Sequence, residues 1–185
     1  SLSAASVGET ADHNSRHLPL RLAGYNRAGQ VGSTKISVAP GAQTLGGVPT
    51  PYADAYASRR SGRRTHIYLQ GSSGLLTPDH FDFASTRERV LHLGLPGVHR
   101  LMDGPWGGEA NGWVATLKKA RAAGLATNLE LASIPPERLA PLVRPCLPHL
   151  DYLVVNDGEI GAVAGRRTTG DGKTDLAACI AAARA

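Results

Sequence analysis

From residue 90 onward, short apolar runs alternate with longer stretches in which apolar positions recur every three or four residues. The short runs are Val90-Leu-His-Leu93, Ala126-Thr-Asn-Leu-Glu-Leu131 and Tyr152-Leu-Val-Val155. Their length and their Val and Leu content predict strands, the last of them a buried one. The longer stretches predict helices. Over 107–124, Trp113, Val114, Leu117, Ala120 and Ala123 or Leu125 fall at helical spacing. Asn111 can cap that helix, Lys118, Lys119 and Arg121 suit its C-terminal dipole, and Gly124 can end it. A second helix is expected to be capped by Ser133 and opened by Pro135 and Pro136. It carries Glu137 in its first turn and reaches about Leu147, with interruptions at Pro141 and Pro145. A third begins at Asn156 or Asp157 and closes at Gly165. After a polar loop over 166–174, an Ala-rich helix is predicted over 175–185. Strand and helix in alternation imply βαβ units and a parallel sheet, so the fold class is α/β.

The first part of the chain patterns differently. Tyr52, Asp54 and Tyr56 alternate with small residues, a Ser-Arg-Gly turn follows, and Thr65-His-Ile-Tyr-Leu69 is again strand-like. That predicts a β-hairpin. Residues 75–83 read as a loop with a helix-start signal at Thr77-Pro78-Asp79. Residues 1–47 are rich in Gly, Ser, Ala and His, with one strand-like piece at 33–38, and are expected to have low order or irregular packing. No G-x-G-x-x-G opens a helix after a strand, so a dinucleotide fingerprint is absent. The expected division is 1–47, 48–72 and 73–185.

Composition narrows the classes. At 185 residues and 42% hydrophobic content the chain can bury one real core. No apolar run approaches a membrane span, and residues 1–17 are too polar for a secretory signal. The first residue is Ser, which suggests processing or a fragment. Cys146 and Cys179 have no C-x-x-C spacing and read as reduced core thiols of a cytoplasmic protein. The net charge is +5, from 20 Lys and Arg against 15 Asp and Glu. The pairs Arg59-Arg60, Arg63-Arg64 and Arg166-Arg167 sit beside Ser and Gly, with no interleaved aromatics. They read as solvated turns, and neither nucleic acid nor membrane is expected as a partner.

Candidate chemistry concentrates in Asn156-Asp157-Gly158-Glu159, where a predicted strand gives way to a helix. In open α/β sheets ligands bind at that carboxyl edge, and an amide beside a carboxylate suits a hydrated divalent cation. The same four residues also make an ordinary capped helix start. His92 alternates with leucines, the setting of a packed core histidine. His66, His92 and His99 lack metal-ligand spacing. Glu130 either reaches the carboxyl edge or is an exposed edge charge.

The run Leu-Asp-Tyr-Leu-Val-Val-Asn-x-x-Glu at 150–159 resembles the N-x-x-E region of the ribokinase-like carbohydrate kinases, the PfkB family. Val-Leu-His-Leu-Gly at 90–94 is similar to another strand of that family. Pro-Thr-x-Tyr-x-Asp at 49–54 and Gly-Arg-Arg-Thr-His at 62–66 look like its lid. Gly71-Ser-Ser stands where many relatives carry Gly-Ala-Asn. The resemblance covers 48–185. It implies a partial ribokinase-like, Rossmann-like parallel sheet with flanking helices and a projecting hairpin lid. It further implies transfer of the ATP γ-phosphate to a sugar or nucleoside-like hydroxyl in the cytoplasm. Asn156 and Glu159 would position Mg2+, through water, and the phosphates of ATP. Gly71 and Glu130 would face the substrate, and the lid would form a homodimer contact. In the family the general base comes from a Gly-x-Gly-Asp segment, and a Gly-Gly-x-x-x-Asn segment binds sugar. Neither occurs here, so the expected protein is an incomplete kinase chain that is inactive alone. The alternative is a non-catalytic α/β sugar-binding or regulatory module on the same scaffold.

Overall fold

The computed structural model describes residues 7–8, 44–45, 47–49, 51–61, 64–84, 86–170 and 173–184. The strand-like piece expected at 33–38 lies outside them. The chain divides into two compact units, with the boundary between Leu76 and Thr77.

In the unit before this boundary, β1 (Val7–Gly8) pairs in parallel with β2 (Thr44–Leu45). The expected hairpin is present: β3 (Tyr52–Ala57) runs antiparallel to β4 (Arg64–Leu69), in register from Tyr52↔Leu69 to Ala57↔Arg64. This register gathers Tyr52, Asp54, Tyr56, Thr65, Ile67 and Leu69 on one face, because side chains alternate across a strand. That face is bare, with Tyr56 and Ile67 59% and 60% exposed. A 3-10 turn, Gly71–Leu75, follows the hairpin. The Ser72 N–H donates to the Pro49 carbonyl at 2.9 Å and ties the turn back to the strand before β3.

In the unit after the boundary, β5 (Val90–Leu93), β6 (Ala126–Glu130) and β7 (Tyr152–Val154) form a parallel sheet in the order β5-β6-β7. The helices are α1 (Arg100–Asp103), α2 (Gly112–Ala122), α3 (Pro136–Val143), α4 (Asp157–Ala164) and α5 (Leu176–Ala183). The α/β class and the alternation of strand and helix are as expected. Register matches His92 with Asn128 and Tyr152, and Leu93 with Leu129 and Leu153. One face therefore carries Leu91, Leu93, Thr127 and Leu129, all buried. The helices bury Trp113, Leu117, Ala120, Leu139 and Val143, with α2 packed on β6. Burying one such side chain is worth about 1.5–3 kcal/mol, so this layer is the main apolar contribution to the unit.

Three expectations are corrected. The strand at Tyr152 is not buried: Tyr152 and Val154 are 60% and 64% exposed, because β7 is an edge strand with one face uncovered. Ser133 does not cap α3. The N-cap is Pro135, with no side-chain bond, and Ser133 is engaged elsewhere. The helix does not run to Leu147 either. It ends at Val143 and tightens into a 3-10 stretch, Arg144–His149. Pro145 and Pro148 have no N–H to donate to an α-helical ladder, so the α-helix does not continue through them. The loop at 166–174 also contains a short antiparallel pair, β8 (Thr169–Gly170) with β9 (Lys173–Thr174).

Asn111 does more than cap α2. Its Oδ1 accepts from the Val114 N–H at 3.0 Å, and its Nδ2 donates to the Leu142 carbonyl at 2.9 Å, in a side chain 2% exposed. Asn111→Ala removes the cap and leaves a carbonyl without its donor. The expected loss is about 2–3 kcal/mol by denaturant titration. Asn111→Asp keeps the cap but loses the donor, and should fall between.

Candidate functional site

The start of α4 is built as a reciprocal cap. Asn156 has extended backbone (φ −84°, ψ 175°), and its Oδ1 accepts from the Glu159 N–H at 2.8 Å. Glu159 Oε2 accepts from the Asn156 N–H at 3.0 Å. The pattern is the capping box, here with Asn in the first position. The second carboxylate oxygen, Oε1, accepts from the Ser133 hydroxyl at 2.9 Å, and Asn156 Nδ2 donates to Ser133 Oγ at 3.3 Å. Ser133, Asn156 and Glu159 thus form a closed polar triangle at the carboxyl edge of the sheet. Glu159 is 8% exposed while Asn156 is exposed. Two of the roughly four acceptor directions of the carboxylate are taken.

Asp157 is fixed by the loop beyond α4. Its carboxylate accepts from the Thr174 hydroxyl and from the Gly158 N–H at 2.9 Å. These bonds, that from Thr174 first, hold its carboxyl below the usual carboxylate range. The Asp157 carbonyl accepts from the buried Thr168 hydroxyl at 2.5 Å. Gly161 permits that approach, since a Cβ there would lie 2.3 Å from Thr168 Oγ1. Gly165 closes α4 in the left-handed region at φ 68°, as expected of a C-terminal glycine. A groove of about 490 Å3 between β7, α4 and α5 is lined by Leu153, Asn156, Asp157, Ile160, Ile180 and Ala183.

Glu130 lies at the carboxyl end of β6 and is exposed. His92 is its neighbour: His92 Nε2 donates to Glu130 Oε2 at 2.9 Å, with the two side chains 53% and 55% exposed. His92 is therefore not a packed core histidine. Strand alternation turns it to the uncovered face of the sheet, opposite Leu91 and Leu93. Asn128 Nδ2 donates to His92 Nδ1 at 2.6 Å. Gly71 belongs to the other unit, at φ 49° at the start of its 3-10 turn. Among the described residues, no group of three or more His, Cys, Asp and Glu side chains is placed to hold a metal ion. Cys146 is a buried thiol whose burial pushes its pKa up to about 12, which fits a core role; Cys179 is only half-buried.

Two partners in these clusters have no site motif of their own in the sequence. Ser133, which the sequence marks as a helix cap, is drawn in by the loop after β6. Asn128 pairs with His92 through the register of β5 and β6, and parallel register cannot be read from one strand.

The sheet edge also carries a pH-sensitive anchor. Asp151 accepts from the Thr127 N–H at 2.8 Å and the Thr127 hydroxyl at 3.0 Å, and these bonds hold its carboxyl below the usual range. A lowered folded pKa gives stability that is complete above the unfolded value, about 3.9, and is lost as pH falls through the folded value. Asp151→Asn should flatten that part of the acid-unfolding curve and leave the neutral-pH slope unchanged, as followed by circular dichroism.

A three-stranded parallel sheet flanked by helices, with a polar cluster on its carboxyl edge, defines an α/β scaffold of the kind that binds ligands at strand ends. No protein-family model matches the chain, and no curated protein sequence matches it significantly. Among solved structures, it is similar to the ligand-free nucleoside kinase of Burkholderia thailandensis, with a TM-score of 0.51 and 12% identity. The alignment covers 88% of this chain and 45% of that one, so the chain spans less than half the length of that kinase. At this identity the likeness is one of fold alone. Among the described residues no helix is long and apolar enough to cross a membrane.

Proposed function

We propose that the chain carries the metal- and phosphate-positioning part of a sugar or nucleoside-like kinase of the ribokinase-like type, which moves the ATP γ-phosphate to a substrate hydroxyl. The observation that carries this reading is the Ser133–Asn156–Glu159 triangle at the carboxyl edge of the parallel sheet. Its oxygens suit a hydrated Mg2+. Glu159 already takes two protein donors, so the fit is to the waters around the ion rather than to the ion directly. The bound metal supplies neutralisation of phosphate charge. Asn156 is exposed and presents its amide toward the same edge, while Ser133 keeps Glu159 oriented. Glu130 is the group that would face the acceptor hydroxyl, and the β3–β4 hairpin would act as lid and subunit contact.

The second reading, a non-catalytic sugar-binding or regulatory module, is favoured by one feature of the sequence: it holds no Gly-x-Gly-Asp run to supply a base and an anion-binding helix start. Phosphoryl transfer is mostly alignment and charge stabilisation, and losing one such element typically costs a factor of about 10²–10³. The chain by itself should therefore bind Mg-ATP weakly and release no sugar-dependent ADP. Calorimetry with Mg-ATP and a coupled ADP assay over pentoses, hexoses and nucleosides test this. Glu159→Gln should weaken Mg-ATP binding severalfold. Equal binding by wild type and Glu159→Gln would refute the role of the triangle. Sugar-dependent turnover that Glu159→Ala abolishes would show that the chain holds its own base.

A further inference from the structure

Residues 77–83, which open the unit that holds the parallel sheet, are pinned at two points. Thr77 has extended backbone (φ −135°, ψ 164°) and precedes a 3-10 turn, Pro78–His80. The Thr77 N–H donates to His80 Nδ1 at 3.1 Å, and the Thr77 hydroxyl lies 2.8 Å from the same nitrogen. This is the return arm of a capping box, with His where Glu or Gln is usual. Glu and Gln present an acceptor throughout the neutral range, whereas imidazole presents one at Nδ1 only while that nitrogen is unprotonated. The second pin is Lys119 on α2, whose Nζ donates to the carbonyls of Pro78 and Phe81. The segment carries buried apolar surface: Phe81 and Phe83 are 6% and 5% exposed, and their rings stack with centroids 6.1 Å apart. The surrounding charges offer the ring no other partner. Asp79 is exposed, and Asp82 Oδ1 accepts from the Ala84 N–H at 2.9 Å. On α2, Lys118 is paired with Glu109 and Arg121 with Asp151, which leaves Lys119 as the cation over the turn.

We propose that His80 makes residues 77–83 a pH-gated arm. With Nδ1 unprotonated the box is closed and the arm is held on α2. A proton on Nδ1 sets two N–H groups against each other, one in the ring and one at Thr77. It also puts a second positive charge on a turn that the Lys119 ammonium already holds. The charged ring can donate to Thr77 Oγ1, but the Thr77 N–H, in a residue 8% exposed, then has no acceptor. The sign follows from which form of the ring makes the bond. The stability given by the box is present where the ring is neutral and is lost as pH falls through the range in which histidines charge. Opening of the arm uncovers Phe81 and Phe83, so acidification becomes exposed aromatic surface on an otherwise folded unit. The inference is independent of the kinase reading.

Amide hydrogen exchange of the full 185-residue chain, read by NMR at about pH 7.5 and about pH 5, tests the gate. Rates are expressed as protection factors, so that the pH dependence of exchange itself cancels. The reporting amides are His80, which donates to the Thr77 carbonyl, and Phe81, which donates to the Pro78 carbonyl. Their protection should fall about fivefold or more at the lower pH, the loss of one ordinary hydrogen bond. Protection at Leu129 in β6 should stay the same. His80→Gln keeps a side-chain acceptor that does not titrate, so both amides should remain protected at both pH values. His80→Ala should leave them weakly protected at both. Equal wild-type protection at the two pH values overturns the proposal, because the charged ring then keeps the turn closed. A fall that His80→Gln retains overturns it as well, since another group is then titrating. A fall shared by Leu129 is loss of the whole unit and also overturns the gate. Should His80→Ala fold poorly, wild type and His80→Gln carry the test. Imidazole nitrogen NMR is a second measure: at about pH 7.5 the His80 ring should be bare at Nδ1, and a proton found there overturns the proposal.

Discussion

A carboxylate taken out of water has to find donors, and Glu159 finds them on two different segments. The Asn156 N–H comes from its own helix start, and the Ser133 hydroxyl comes from the loop after β6. One buried group therefore fixes where α4 begins and how the β6–α3 connection runs over the strand ends. Ser133 would be the natural cap of α3, and its diversion to Glu159 leaves that helix to open on Pro135 without a side-chain cap. The local rule for helix starts is broken at one place so that the carboxyl edge can be assembled at another, a kind of conflict expected at functional positions.

The two faces of the sheet differ for a related reason. Parallel sheets usually carry cover on both sides and read as continuous apolar runs. Here α2 covers one side only, and the other side presents Val90, His92, Glu130, Tyr152 and Val154. That side accounts for Asn128 and Glu130 in the run at β6, Ala-Thr-Asn-Leu-Glu, while Thr127 lies on the covered face and bonds Asp151 and the His149 carbonyl. The same mixture keeps the surface from being a plain apolar patch.

Much of this arrangement was legible in the sequence. The strands at 90 and 126, the cap at Asn111, a helix start at Asn156 or Asp157 and the stop at Gly165 all follow from local chemistry, and the structure places the cap at Asn156. The hairpin was readable because alternation flanks a Gly-containing turn. What failed were judgements of environment. His92 between leucines suggests burial, but alternation alone cannot say which face of a sheet is covered. Tyr152–Val155 has the composition of a central strand, but whether a strand is central or at the edge depends on what pairs with it. Ser133 before two prolines looks like a cap, and only the tertiary position of Glu159 withdraws it. The pairing of His92 with Asn128 and Glu130 depends on register between separate strands, which no local pattern encodes.

The place of β6 in the middle of the β5-β6-β7 order has a consequence for how the unit breathes. Its amides and carbonyls are bonded on both sides, while β5 and β7 each have one bonded edge within this sheet. Local openings proceed from the least supported backbone inward. Hydrogen exchange in this unit should thus be layered, fastest at Tyr152 and Val154 and slowest at Leu129. Glu130 and Ser133 then follow the slowest layer and Asn156 follows the fastest, so the two parts of the carboxyl edge differ in rigidity.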